Sequence, residues 1–73
     1  MKIKVGRCRI REFRLALGWT QENLSERSGV GRTSISQYET KSHGEGMPLV
    51  TAVALADALG VSPRDLYEWL NEE

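Results

Sequence analysis

Along residues 9–17 the apolar side chains Ile10, Phe13, Ala16 and Leu17 fall three and four positions apart, the stripe of an amphipathic helix. Gly18 then supplies a stop, because glycine enters the left-handed conformation without steric cost. Thr20 reads as the N-cap of a second helix over residues 21–27, with Glu22 in its first turn facing the positive end of the dipole. Ser28-Gly29-Val30 is a tight turn, and a third helix over residues 32–39 is entered through Gly31. After a loop containing Gly44 and Gly46, Pro48 opens a fourth helix that ends at Leu59 with Gly60 as its cap. Ser62 caps a fifth, with Pro63 at the first position and Asp65 at the third, close to a capping box.

A repeated detail supports these boundaries. The residue before each of three N-caps forms an apolar pair with the residue five places later: Trp19 with Leu24, Val30 with Ile35, Val61 with Leu66. That is the spacing of a hydrophobic staple, which sets the angle at which a chain enters a helix. Lys2-Ile3-Lys4-Val5 alternates, but four residues are too few to define a strand. The pattern predicts an all-α domain of five helices, with residues 9–71 folded and residues 1–8 a basic arm or short strand.

Length changes little in this picture. Seventy-three residues, 40% hydrophobic and 27% charged, make one small domain. No apolar run approaches the roughly 20 residues that span a bilayer, so no membrane segment is expected. The N-terminal Met1-Lys2-Ile3-Lys4-Val5 lacks the apolar stretch of a signal peptide. Cys8 is the only cysteine and forms no intrachain disulfide, so the expected compartment is a reducing cytoplasm.

Charge changes more. The formal net charge is zero, which seems to argue against a nucleic-acid partner. Residues 1–41, however, carry nine basic groups against four acidic ones, and residues 42–73 carry one against six. Such asymmetry fits one face that meets an anion and another that avoids it; two solvated faces without a partner are the alternative.

Catalytic chemistry finds few residues. His43 is the only histidine and lies in the polar loop Lys41-Ser42-His43-Gly44, without the orienting partner of a general base or the companions of a metal site. Cys8 lies near basic residues that would lower its pKa, but a structural or incidental cysteine is the favoured reading. Gly29-Val30-Gly31-Arg32-Thr33-Ser34 lacks the third glycine, the preceding strand and the lysine of a phosphate-binding loop. Phe13, Trp19, Tyr38 and Trp69 are spaced as core or staple residues rather than as a base-stacking row. The chain is therefore read as a non-enzyme that needs no cofactor or metal.

The informative constellation is the pair of short helices joined by Ser28-Gly29-Val30. A helix-turn-helix needs a first helix of about two turns, a glycine in the turn, and a second helix with polar residues on its outer face. Leu24, Val30 and Ile35 are placed to pack inward, and Arg32, Thr33, Ser34, Ser36 and Gln37 face outward. Arginine can grip guanine bidentately, glutamine can grip adenine, and hydroxyls suit base edges or phosphates. A polar solvent face is the alternative; the glycine turn, the staples and the charge asymmetry together favour DNA.

Ile10-Arg11-Glu12-Phe13-Arg14, Gly18-Trp19-Thr20-Gln21-Glu22-Asn23-Leu24-Ser25-Glu26-Arg27-Ser28-Gly29-Val30 and Thr33-Ser34-Ile35-Ser36-Gln37-Tyr38-Glu39 resemble the Cro/phage-repressor (XRE) helix-turn-helix family. Leu55-Ala56-Asp57-Ala58-Leu59-Gly60-Val61-Ser62-Pro63-Arg64-Asp65-Leu66 resembles that family's closing helices. The resemblance implies a compact five-helix, lambda-repressor-like domain. It implies that Thr20 and Gln21 contact the phosphate backbone, and that Arg32, Thr33, Ser34 and Gln37 face the major groove. It also implies a structural ion pair between Arg14 and Glu39, which removes Arg14 from the DNA surface. Ser36 and Thr40 are further candidate backbone contacts. Lys41 joins them, although the segment from Thr40 to Gly46 is about two residues longer than the family's usual turn.

The expected function is that of a sequence-specific transcriptional regulator, a repressor by family default, binding double-stranded DNA as a homodimer. No membrane partner and no small-molecule ligand are expected. Trp69 and Leu70 with Val50 are candidates for a dimer face, with closure of the core the competing role for Trp69. The basic segment from Lys2 to Arg9 is an arm on phosphate, a strand pairing with a second subunit, or a solvated tail. The competing class is a protein-interaction or antitoxin-type module that keeps the fold without reading DNA.

Overall fold

Helix boundaries follow the capping chemistry. The structure, a computed structural model, describes residues 3–40 and 46–71. In chain order these form β1 (Ile3–Cys8), α1 (Ile10–Ala16), α2 (Gln21–Ser28), α3 (Arg32–Thr40) and α4 (Leu49–Leu59). A single 3-10 turn (Pro63–Leu66) and β2 (Tyr67–Asn71) complete the chain. The Thr20 hydroxyl accepts from the Asn23 amide at 3.0 Å, and Asn23 Oδ1 accepts from the Thr20 amide at 3.0 Å. Two of the orphan donors at the start of α2 are thereby satisfied reciprocally. α2 and α4 end on left-handed Gly29 and Gly60. Pro48 occupies the N-cap of α4, one position ahead of the place its sequence context suggests.

The three staples converge on one core. Leu24, Ile35 and Leu66, the inner members, are fully buried beside Ile10 and Leu55, with Ala52, Ala56, Leu59 and Tyr67 around them. Trp19, Val30 and Val61, the outer members, are half-buried against that cluster. Each fully buried leucine or isoleucine contributes about 1.5–3 kcal/mol. The staples therefore fix helix entry angles and also supply a large share of the core.

The chain's two ends depart from the all-α expectation. The fifth helix is one 3-10 turn, after which the backbone extends into β2 and pairs antiparallel with β1. The register is Ile3 with Asn71, Lys4 with Leu70, Val5 with Trp69 and Cys8 with Tyr67, irregular between Val5 and Cys8. Among the described residues there are thus four α-helices and a small two-stranded sheet, not five helices. Ser62 and Asp65 do form a cap: the Ser62 hydroxyl accepts from the Arg64 amide at 3.3 Å, and Asp65 Oδ2 accepts from the Ser62 amide at 3.1 Å. A cap starts a helix but does not lengthen it; the buried Tyr67 and its partner strand take over one turn later. β1, for its part, pairs within its own chain.

Side chains lock the sheet to the helices. The Trp69 indole N–H donates to the Arg64 carbonyl at 2.6 Å, and the Arg64 guanidinium lies 5.4 Å over its ring. Burial pushes the Tyr67 phenol up to about 12, so Tyr67 stays neutral. Burial likewise raises the Cys8 thiol, against the activation its basic neighbours suggest. Arg7 bridges Glu12 at 3.0 Å and Glu68 at 3.4 Å, tying β1 to α1 and β2, and Arg9 lies 3.4 Å from Glu12. These exposed pairs are worth about 0–1 kcal/mol each. Leu49 and Val50, 74% and 82% exposed, and Leu70 stay uncovered. No helix among the described residues is long and apolar enough to cross a membrane.

At Gly6 the facing strand leaves no room for a side chain. A Cβ there would lie 2.9 Å from the Glu68 carbonyl oxygen and 3.3 Å from the Glu68 Cβ. Gly6→Ala is expected to destabilise the fold by about 1–3 kcal/mol, as overpacking does, and to speed amide exchange in β1 and β2 in particular. Urea unfolding at unchanged stability, with unaltered strand protection, would contradict the pairing.

Candidate nucleic-acid interface

The surface is built from the turn outward. Gly29 takes a φ of 79°, a left-handed conformation that ends α2 and reverses the chain within one residue. The Val30 amide donates to the Ser28 hydroxyl at 3.1 Å, and the Ile35 amide donates to the Gly31 carbonyl at 3.1 Å to begin α3. With Leu24 and Ile35 buried together, the remaining faces of α3 are determined. Arg32, Thr33 and Gln37 are exposed, whereas Ser34 and Ser36 are half-buried. Thr33 and Gln37 lie four apart and so share one face.

α1 and α2 are tied to α3 by one buried carboxylate. Arg14 Nη2 donates to Glu39 Oε1 at 2.8 Å and Arg14 Nε donates to Glu39 Oε2 at 2.9 Å, a bidentate pair. The two side chains are only 9% and 3% exposed. Arg14 Nη1 donates to the Trp19 carbonyl at 2.8 Å, which anchors the backbone just ahead of α2. Gln21 Nε2, at the first position of α2, donates to Glu39 Oε1 at 3.2 Å. The hydrogen bonds to Glu39 hold the Arg14 guanidinium above its ordinary pKa. No buried side-chain polar atom among the described residues lacks a partner, so this polar cluster is satisfied.

The cluster brings several sequence-derived candidates together. Thr20, Gln21 and Arg32 line one open depression with Leu15, Gly18, Trp19 and Glu22. The start of α2 therefore faces the start of α3 across a shallow groove. The Thr20 hydroxyl oxygen is engaged by the Asn23 amide. The Thr40 hydroxyl donates to the Ser36 carbonyl at 2.8 Å. Lys41 lies outside the described residues, as do His43 and Glu45. Arg32 makes no ion pair among the described residues, in contrast to Arg7, Arg9 and Arg14. Sequence reasoning missed the bond from Gln21 to Glu39. It runs between two helices, where no spacing rule applies, and only the position of Gln21 beside the backbone anchored by Arg14 hints at it.

A family model described as Helix-turn-helix matches residues 10–66. The match begins at the first residue of α1 and ends at the last residue of the 3-10 turn, so β1 and β2 lie outside it. The restriction-modification controller protein C.AhdI from Aeromonas hydrophila is 38% identical over 80% of this chain and 85% of that one, with a TM-score of 0.68. A hypothetical transcription factor, NHTF, from Neisseria is 36% identical over 81% of this chain and 66% of that one, with a TM-score of 0.69. No curated protein matches the sequence.

The buried pair makes an asymmetric expectation. Glu39→Ala leaves the Arg14 charge buried without its partner and is expected to cost about 3–5 kcal/mol, enough to unfold much of a domain this small. The double variant Arg14→Met with Glu39→Leu removes both charges and is expected to be more stable than Glu39→Ala. Urea titration of both variants measures this. A loss below about 1 kcal/mol for Glu39→Ala, the range of an exposed pair, would show that the pair does not hold the three helices together.

Proposed function

The chain belongs to the Cro/phage-repressor (XRE) type of helix-turn-helix family, and we propose on that footing that it is a sequence-specific transcriptional regulator that reads the major groove of double-stranded DNA with α3. The observation that carries this reading is the fixed posture of α3. Its apolar side is stapled into the core, its C-terminal Glu39 is tied to α1 and α2, and the exposed remainder is a hydrogen-bonding face. Arg32 and Gln37 are the leading base readers, with Thr33 and Ser34 beside them, because arginine and glutamine offer bidentate matches to guanine and adenine. Thr20 and Gln21 meet a phosphate at the start of α2, where unpaired amides and the helix dipole favour an anion. Ser36, Thr40 and Lys41 add backbone contacts.

The protein acts in the cytoplasm as a homodimer, since one recognition helix covers only a few base pairs and two half-sites lie about 34 Å apart. Val50 and Leu70 are exposed apolar candidates for the dimer face, whereas Trp69 is already engaged by Arg64 and Tyr67. Repression is the family's default outcome. The likeness to a protein named as a restriction-modification controller supports the regulator class.

Among the described residues Arg7, Arg9 and Arg14 are paired with acids, which reduces the cationic charge open to non-specific attraction. Binding to mixed duplex is therefore expected to be weak and to fall as salt rises. On a site selected from a random duplex pool, Arg32→Ala is expected to cost about 1–3 kcal/mol and to relax sequence preference. Absence of binding to any duplex at low salt would contradict the DNA reading. Equal loss on every sequence would make Arg32 a phosphate contact.

A further inference from the structure

We infer that Glu39 is a positioning residue for DNA binding, acting through the side-chain amide of Gln21. This rests on the reading of α2 and α3 as the DNA-facing pair. The carboxylate of Glu39 cannot turn freely, because both its oxygens are held by the Arg14 guanidinium and it is buried. A carboxylate only accepts hydrogen bonds, so the end of the Gln21 amide that faces it is necessarily the NH2 group. One Nε2 hydrogen is spent on Glu39 Oε1, at 3.2 Å. The other Nε2 hydrogen is left for an acceptor outside the cluster.

Gln21 occupies the first position of α2 and lines the depression that Thr20 and Arg32 also border. A phosphate oxygen there meets a donor whose orientation was set during folding. The ordering cost of the flexible glutamine side chain is met before DNA arrives, which is what preorganisation means for affinity. The same contact fixes where the backbone sits relative to α3, because Glu39 belongs to α3 itself. Glu39 touches no DNA in this account. It sets the direction of the group that does. In Glu39→Gln one carboxylate oxygen becomes an NH2 group that cannot accept from Arg14, so the two-point clamp on residue 39 is lost and with it the fixed direction of the Gln21 amide.

Two measurements test this. In the first, duplex affinity is compared for the unaltered protein, Gln21→Met, Glu39→Gln and the double variant, at a temperature where each one's melting curve shows it folded. Each single change is expected to weaken binding several-fold on selected and mixed duplex alike, and the double variant is expected to bind no worse than the weaker single. Losses that multiply would overturn the assignment, since independent residues add in free energy. In the second, which needs no variant of Glu39, the two Nε2 hydrogens of Gln21 are followed by NMR as duplex is added to the unaltered protein. One resonance is expected to move while its partner, bonded to Glu39, stays in place. Neither moving, or both moving together, overturns the assignment. An unaltered protein that binds no duplex would instead overturn the DNA reading beneath it.

Discussion

The structure depends on one carboxylate being buried and satisfied. Glu39 accepts two hydrogen bonds from Arg14 and one from Gln21, and Arg14 adds a bond to the Trp19 carbonyl. Four attachments on α1, α2, α3 and the segment entering α2 thus meet within one polar cluster. A buried ion pair is a poor source of net stability, because desolvating two charges consumes most of their attraction. It is a source of geometry, since separating α3 from α1 while the site stays dry leaves a charge buried and unpaired. The hydrophobic staples set how α2 and α3 enter the core, and the ion pair sets how they sit against α1. Together they set the direction in which α3 presents its polar face.

This constraint also explains the charge distribution. The basic first half of the chain suggests a broad cationic face, yet Arg14 is buried in the pair and Arg7 and Arg9 are engaged by Glu12, with Arg7 also reaching Glu68. Arg27 lies 4.6 Å over the Trp19 ring. Much of the apparent surplus therefore serves to join elements. On the side of α2 and α3, the charge left for a polyanion includes Arg32 at the start of α3, beside exposed Thr33 and Gln37. A neutral total charge is compatible with the proposed DNA-binding role, because the charge is unevenly distributed along the chain.

Most of the helical framework is legible in the sequence because its causes are local. Caps at Thr20 and Ser62, glycines at 29 and 60 and the three staple pairs act within a few residues, and the helices they imply for α1 to α4 match within one or two positions. What escapes is non-local. β1 and β2 pair from opposite ends of the described chain, and each carries too short an alternation to announce itself alone. The fifth helix fails for the same reason: its cap is real, but whether the turn after it continues as helix depends on a strand at the far end of the chain. The polar face of α3 is visible from spacing. The bond from Gln21 to Glu39 is not, since it joins two helices whose contact is itself a product of folding.

The most direct test of the account is an NMR titration of the isotope-labelled protein with a selected duplex, read residue by residue. Backbone and side-chain shifts are expected to concentrate at Thr20 to Glu22 and at Arg32 to Gln37. The sheet formed by β1 and β2 should respond little. The Nε resonance of Arg14 should stay in place, because its partner is Glu39 and not DNA. Shifts centred on the strands, or an Arg14 guanidinium that leaves Glu39 for the duplex, would contradict the claim that a buried ion pair holds α3 ready to read DNA.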